Sequence, residues 1–241
     1  MVSRAGELNT IADFLQSACV LPSGLIIEGE AGIGKTTLWS AATEQARDLG
    51  YCVLPARAGQ AESAMEYAAV ADLLGDVESS IFVRLPNLQR VAVDRALLRS
   101  GDEDPETDQR AVAAAFLAIV ETLAADVPVL LAIDDYQWLD APSRAVVTFA
   151  ARRIKGRVGV LVTERPEPGC PNAMSWLCSV TARSKATRAS KCVPKPKITA
   201  SEGPVTQRDT AAKVGMPRSV VRSRTQSSRP CVRQCSTTSR R

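Results

Sequence analysis

Apolar side chains recur along this chain with two periods. Residues 5–18 place them at Leu8, Ile11, Leu15 and Ala18, the spacing of a helix with one buried face. After a break at Pro22, Ser23 and Gly24, the run Leu25-Ile26-Ile27 is short and apolar, as a buried strand is. Helical spacing returns through Leu38, Ala42, Ala46 and Leu49 and stops at Gly50, where a helix C-terminal glycine belongs. Cys52 to Arg57 reads as a second strand, and because Pro55 has no amide to donate, that strand belongs at a sheet edge. Residues 64–75 and 111–125 are helical by period, the latter through Val112, Phe116, Ile119 and Leu123. The acidic, turn-rich stretch 100–108 between them is a surface loop. Residues 129–133 form a fully apolar strand that runs into Asp134 and Asp135; 143–154 reads as a helix and 158–162 as a fourth strand. Strands alternating with helices predict parallel β–α units covered on both faces, a three-layer α/β sandwich. No internal repeat is visible.

From about residue 170 the pattern gives way to Ser, Thr, Arg, Lys and Pro. Charge divides at the same place. Residues 1–169 carry 15 Lys and Arg against 24 Asp and Glu, whereas the rest of the 241-residue chain carries 15 against 2. The expected organisation is therefore an acidic folded domain, 1–169, followed by a largely disordered basic tail, 170–241, of a kind that meets nucleic acid or anionic surfaces. Histidine is absent, which removes Ser-His-Asp and Cys-His catalysis and the commonest zinc ligand. Of the seven cysteines, Cys19 and Cys52 sit in apolar surroundings, and Cys231 and Cys235 lack the C-x-x-C spacing of zinc or redox sites. A reducing cytoplasm is the expected setting. The charged residues within 1–15 argue against a signal peptide, and no apolar run nears the roughly 18 residues that span a bilayer. No membrane partner is expected.

One local pattern carries chemistry. Gly29-Glu30-Ala31-Gly32-Ile33-Gly34-Lys35-Thr36 matches G-x-x-x-x-G-K-[ST] in full, with a strand before it and a helix after it. Glycines let the backbone turn tightly round phosphates, and the following helix N-terminus adds positive charge. Lys35 supplies a mobile cation for the β- and γ-phosphates, and the Thr36 hydroxyl can ligate magnesium. ATP with Mg2+ is the expected ligand pair, bound by residues 29–36 and the adjoining Thr37. Asp134, at the end of the apolar strand, is the Walker B carboxylate expected to support the metal through water. Asp135 could polarise the attacking water, or else cap the next helix or stand in a solvated turn. Thr163, ending the fourth strand, could sense the γ-phosphate or be there for its β-branching; Arg165 could touch phosphate or simply be solvated.

Residues 29–37, together with Ile133-Asp134-Asp135-Tyr136-Gln137-Trp138-Leu139-Asp140, resemble the ATPase domain of large LuxR-type transcriptional regulators. That domain belongs to the signal-transduction (STAND) branch of AAA ATPases and is also described as origin-recognition-complex-like. Arg4 with Glu7 and Leu8 resembles the family's N-terminal box beside the adenine, so the resemblance implies that Arg4 contributes to nucleotide binding. Residues 64–74 and 111–117 resemble its small-residue and Ala-rich helices, and Thr163-Glu164-Arg165-Pro166-Glu167 its sensor segment. Ser3 stands where the family has glycine. The resemblance covers about 1–176 and implies an ATP-binding switch with slow or no hydrolysis.

Beyond Trp176 and Leu177 the family's fifth strand, helical lid and C-terminal helix-turn-helix are not recognisable, so a truncated or frame-shifted product is expected. In the strand order of this class, 5-1-4-3-2, loss of the fifth strand implies an exposed edge at residues 24–28 and a tendency to self-association. Within the tail, residues 207–224 place Ala211, Gly215 and Val221 at helix-turn-helix offsets, although Arg224 stands at a position that should be apolar. The rival readings are an ATP-modulated DNA-binding protein that uses the tail, and a fragment without activity.

Overall fold

The computed structural model describes residues 5–98, 108–165 and 197–199. Arg4, the helix-turn-helix offsets at 207–224 and the rest of the tail lie outside them. Four parallel strands, β1 (Ser23–Glu28), β2 (Cys52–Arg57), β3 (Val129–Asp134) and β4 (Val158–Glu164), form the body of one sheet. Its order is β2-β3-β4-β1-β5. The fifth member, β5 (Lys197–Thr199), pairs in parallel with Ile26 to Glu28 of β1. This corrects the expectation of a missing fifth strand. The far side of β1 is covered over that stretch, so the bare edge expected at 24–28 is confined to the strand's first half.

Burial on both faces explains why β1, β3 and β4 read as continuous apolar runs. Side chains alternate between two cores. Ile26, Leu131, Ile133, Val160 and Val162 face α3 (Ala68–Leu74), α5 (Asn87–Ala96), α6 (Gln109–Asp126) and α7 (Ala141–Ala151). Leu25, Ile27, Leu130, Ala132 and Leu161 face α1 (Ala5–Ala18) and α2 (Lys35–Asp48). On that second face Gly159 admits α1: a Cβ there would lie 3.1 Å from Phe14, Ala18 and Leu130. The chain is thus the three-layer α/β sandwich that its periodicity predicts.

Strand β2 lies at the sheet edge, as Pro55 requires. Cys52 N–H donates to the Pro128 carbonyl and Ala58 N–H to the Asp134 carbonyl. By alternation, Val53, Pro55 and Arg57 turn their backbone groups outward. Pro55 has no donor, and the Arg57 N–H is taken by the Asp72 carboxylate. Burial pushes the Asp72 carboxyl above its ordinary range; the Arg57 hydrogen bond opposes that rise and the charge of Glu62 adds to it. Two of the three outward positions are therefore closed to a further strand.

Helix boundaries carry the other departures. Helix α2 ends in a Schellman motif: Gly50 adopts φ 81°, Gly50 N–H donates to Arg47 and Tyr51 N–H to Ala46. The helix expected over 64–75 starts late, at Ala68, because Asp140, from a distant loop, takes the Tyr67 and Ala69 amides (2.9 and 3.4 Å). The same carboxylate accepts Ser143 N–H at 2.8 Å and so caps α7, while the Ser143 hydroxyl accepts Val70 N–H at 3.1 Å. One buried Asp-Ser pair thereby terminates two helices. Asp108, the end of the acidic loop, caps α6 by accepting Arg110 and Ala111 N–H. Helix α4 (Ser79–Val83) and α5 have no counterpart in the periodicity reading.

Candidate functional site

The C-terminal ends of β1, β4 and β3 lie side by side in the sheet, and each delivers polar groups to the same rim. After β1 the chain turns through residues 29–34. Gly32 (φ 78°) and Gly34 (φ 94°) adopt left-handed backbone, which a side chain would strain at both positions. Gly34 is the N-terminal cap of α2, so the loop opens directly onto that helix's free amides. The Lys35 side chain is 7% exposed and curls back over the loop, donating from Nζ to the carbonyls of Gly29 (2.9 Å) and Glu30 (3.1 Å). Glu30, Ala31, Thr36 and Thr37 are exposed; Ile33 is half-buried. A cleft of about 310 Å³ lies here, lined by Ala31, Gly32, Gly34, Lys35, Thr36, Asp135 and Arg165.

Asp134 ends β3 and is 3% exposed. Its Oδ1 accepts a short hydrogen bond from the Thr163 hydroxyl, whose own oxygen accepts Asp135 N–H at 2.8 Å. Asp135 itself has left-handed backbone (φ 56°, ψ 52°), a conformation Asp tolerates better than most residues, at a cost of order 1–3 kcal/mol. Its side chain makes no capping bond to the turn it precedes, and the cap of α7 belongs to Asp140. Instead, its Oδ1 accepts from Gln137 Nε2 at 2.9 Å. The capping alternative for Asp135 is thus removed, and its place on the cleft wall beside Lys35 and Thr36 remains.

Gly29 to Thr36, Asp134, Asp135, Thr163 and Arg165 all stand at this rim, and the sequence reading names each of them. It misses Gln137, whose Oε1 accepts Arg165 N–H at 3.1 Å, and Arg144, whose Nη2 donates to the Leu139 and Gln137 carbonyls at 2.8 and 3.4 Å. No spacing rule points to either residue. The only available signal is a lone polar side chain between Tyr136 and Trp138. A larger cleft of about 480 Å³, between α2 and β2, is lined by Trp39, Arg47, Arg57 and Asp72 among others and shares no group with the phosphate-type loop. There the Arg57 guanidinium lies 4.8 Å from the centre of the Trp39 ring.

The donor set suits magnesium. A hydroxyl and a carboxylate are hard oxygen ligands, and the ion keeps water and phosphate oxygens for most of its shell. Among the described residues no cluster of three or more acidic, Cys or His side chains is present.

A parallel α/β sandwich with a glycine loop, an inward lysine and a carboxylate on the next strand but one defines a P-loop nucleotide-binding domain. The family described as "AAA ATPase domain" matches residues 1–162, and the chain belongs to that family. Among solved structures the chain is similar to AMPPCP-bound DnaA from Aquifex aeolicus, at 14% identity and a TM-score of 0.39, over 83% of this chain and 48% of that one. This chain thus spans about half of that relative's length. No protein of curated function matches it. No helix among the described residues is long and apolar enough to cross a membrane.

Proposed function

We propose that this chain is an ATP-binding switch module of a LuxR-type transcriptional regulator, with magnesium as the companion ion and hydrolysis slow at most. The observation that carries the nucleotide reading is the Lys35 ammonium, buried and held on the carbonyls of Gly29 and Glu30 at the mouth of the glycine loop. A cation placed there meets incoming phosphate oxygens by exchanging one set of acceptors for another, while the α2 amides take the remaining charge. Thr36 and Asp134 would hold magnesium, the latter through water, and Thr37 and Arg4 would complete the nucleotide contacts. Asp135, on the cleft wall, would orient the attacking water, and Arg165, which also lines the cleft, would meet the terminal phosphate. The LuxR assignment rests on the residue resemblance at 29–37 and 133–140, and a cytoplasmic setting accompanies it. Residues 1–169, with β5 added to their sheet, would be the ATP-binding domain, and the rest of 170–241 an appended basic segment.

The test is direct. In a variant shown to be folded, Lys35→Ala should abolish binding of a fluorescent ATP analogue at concentrations that saturate the parent, a loss of at least roughly 100-fold. Unchanged affinity would remove the site and leave the reading of a fragment without activity.

The charge division supports a second reading. With 15 basic against 2 acidic residues from position 170 onward, that segment suits the phosphate backbone of DNA, with ATP setting the state of the acidic domain.

A further inference from the structure

The amide of Gln137 bridges two residues that line the phosphate cleft. Its Nε2 donates to Asp135 Oδ1 at 2.9 Å, and its Oε1 accepts Arg165 N–H at 3.1 Å. Asp135 and Arg165 line the cleft, whereas Gln137 does not. Only one orientation of the amide is chemically consistent. Reversed, its oxygen would face a carboxylate oxygen and its NH2 would face a backbone N–H. An amide is also the side chain that offers a donor and an acceptor at this reach without charge; a glutamate would set two carboxylates against each other.

The backbone that carries the amide is fixed as well. Arg144, on α7, donates to the carbonyls of Gln137 and Leu139, and Trp138 N–H donates to the Asp135 carbonyl at 2.9 Å. Asp135 is held at its amide by Thr163 but at its carboxylate by Gln137. Without Gln137 the carboxylate loses the described partner that fixes its rotation.

We infer that Gln137 is a positioning residue, which aims the Asp135 carboxylate into the cleft and ties that aim to the strand end bearing Arg165. This rests on the reading of Asp135 as the group that orients the attacking water. It places no demand on nucleotide affinity, because Gln137 stands outside the cleft lining. It follows that Gln137 sets the rate of γ-phosphate hydrolysis and leaves the hold on the nucleotide alone.

The experiment uses the full chain with ATP and magnesium, reading binding with a fluorescent ATP analogue and hydrolysis in single turnover. Gln137→Ala should keep affinity within about 3-fold and slow hydrolysis by roughly 10- to 100-fold, the effect of a misaimed group. Gln137→Glu should be slow at neutral pH and recover towards acid. The protonated acid restores one donor and one acceptor, and the adjoining carboxylate raises the pH at which that proton is lost. A purely structural role would give no such acid recovery. Asp135→Asn separates the possible failures. If it slows hydrolysis while Gln137→Ala matches the parent, the positioning role falls and Asp135 keeps its own. If Asp135→Asn matches the parent, or the parent binds ATP without hydrolysing it, the positioning role falls while ATP binding stands. If the parent binds no ATP, the proposed function falls with it.

Discussion

The Thr163 hydroxyl works in two directions: it donates to the buried Asp134 carboxylate and accepts the Asp135 amide. It therefore supports the residue expected to back the metal and the residue expected to face the water. Its β-branched methyl suits the strand end, and its hydroxyl makes both of these hydrogen bonds. Thr163→Val keeps the shape and leaves a 3%-exposed carboxylate without that donor. The loss should be about 1.5–3 kcal/mol of stability, read by urea denaturation, with Thr163→Ser much closer to the parent. Magnesium titrations of nucleotide affinity should flatten in Thr163→Val as well, because the Asp134 carboxylate loses its fixed orientation. Equal stability and equal titrations in the two variants would show that the hydroxyl has neither role.

At the scale of elements, the shared cap made by Asp140 and Ser143 joins the starts of α3 and α7. Asp140→Ala strips three backbone amides of one acceptor and should cost about 2–4 kcal/mol in thermal or urea unfolding. Asp140→Asn keeps Oδ1 for Tyr67 and Ser143 and should lose less; equal losses would mean that charge, and not hydrogen bonding, sets the effect. The same pair shows where sequence patterns stop being legible. The glycine loop, Asp134 and the buried strands are visible because each is written in a few adjacent residues. The late start of α3 is not, since its cap lies 73 residues away. Helix α5 buries only Ala92, Val93 and Ala96, and α4 only Phe82, too few for a clear period. Strand β5 is Lys-Ile-Thr in a Lys- and Pro-rich stretch, so it takes its place from the free side of β1 and not from a pattern of its own. Gln137 escapes for a related reason: it joins the loop after β3 to the end of β4, 28 residues on.

For the whole molecule, the unequal charge of its two parts makes a prediction about salt. If the basic segment holds DNA, binding should weaken steeply as salt rises and vanish when residues 204–241, beyond β5, are removed, as read by fluorescence anisotropy with duplex DNA. Binding that ignores salt, or survives the deletion, would sink that reading. The order of the sheet carries a different consequence, one of time. Strand β1 leaves the ribosome early, but its neighbours are β4 and β5, which are made far later. Until β4 emerges, the apolar Leu25, Ile26 and Ile27 have no strand beside them, and the glycine loop has nothing to anchor its entry. At ~5–20 residues per second, that interval is on the order of ten seconds. A growing chain of this protein therefore carries a finished phosphate loop that cannot yet hold phosphate, beside a bare strand that a chaperone would recognise.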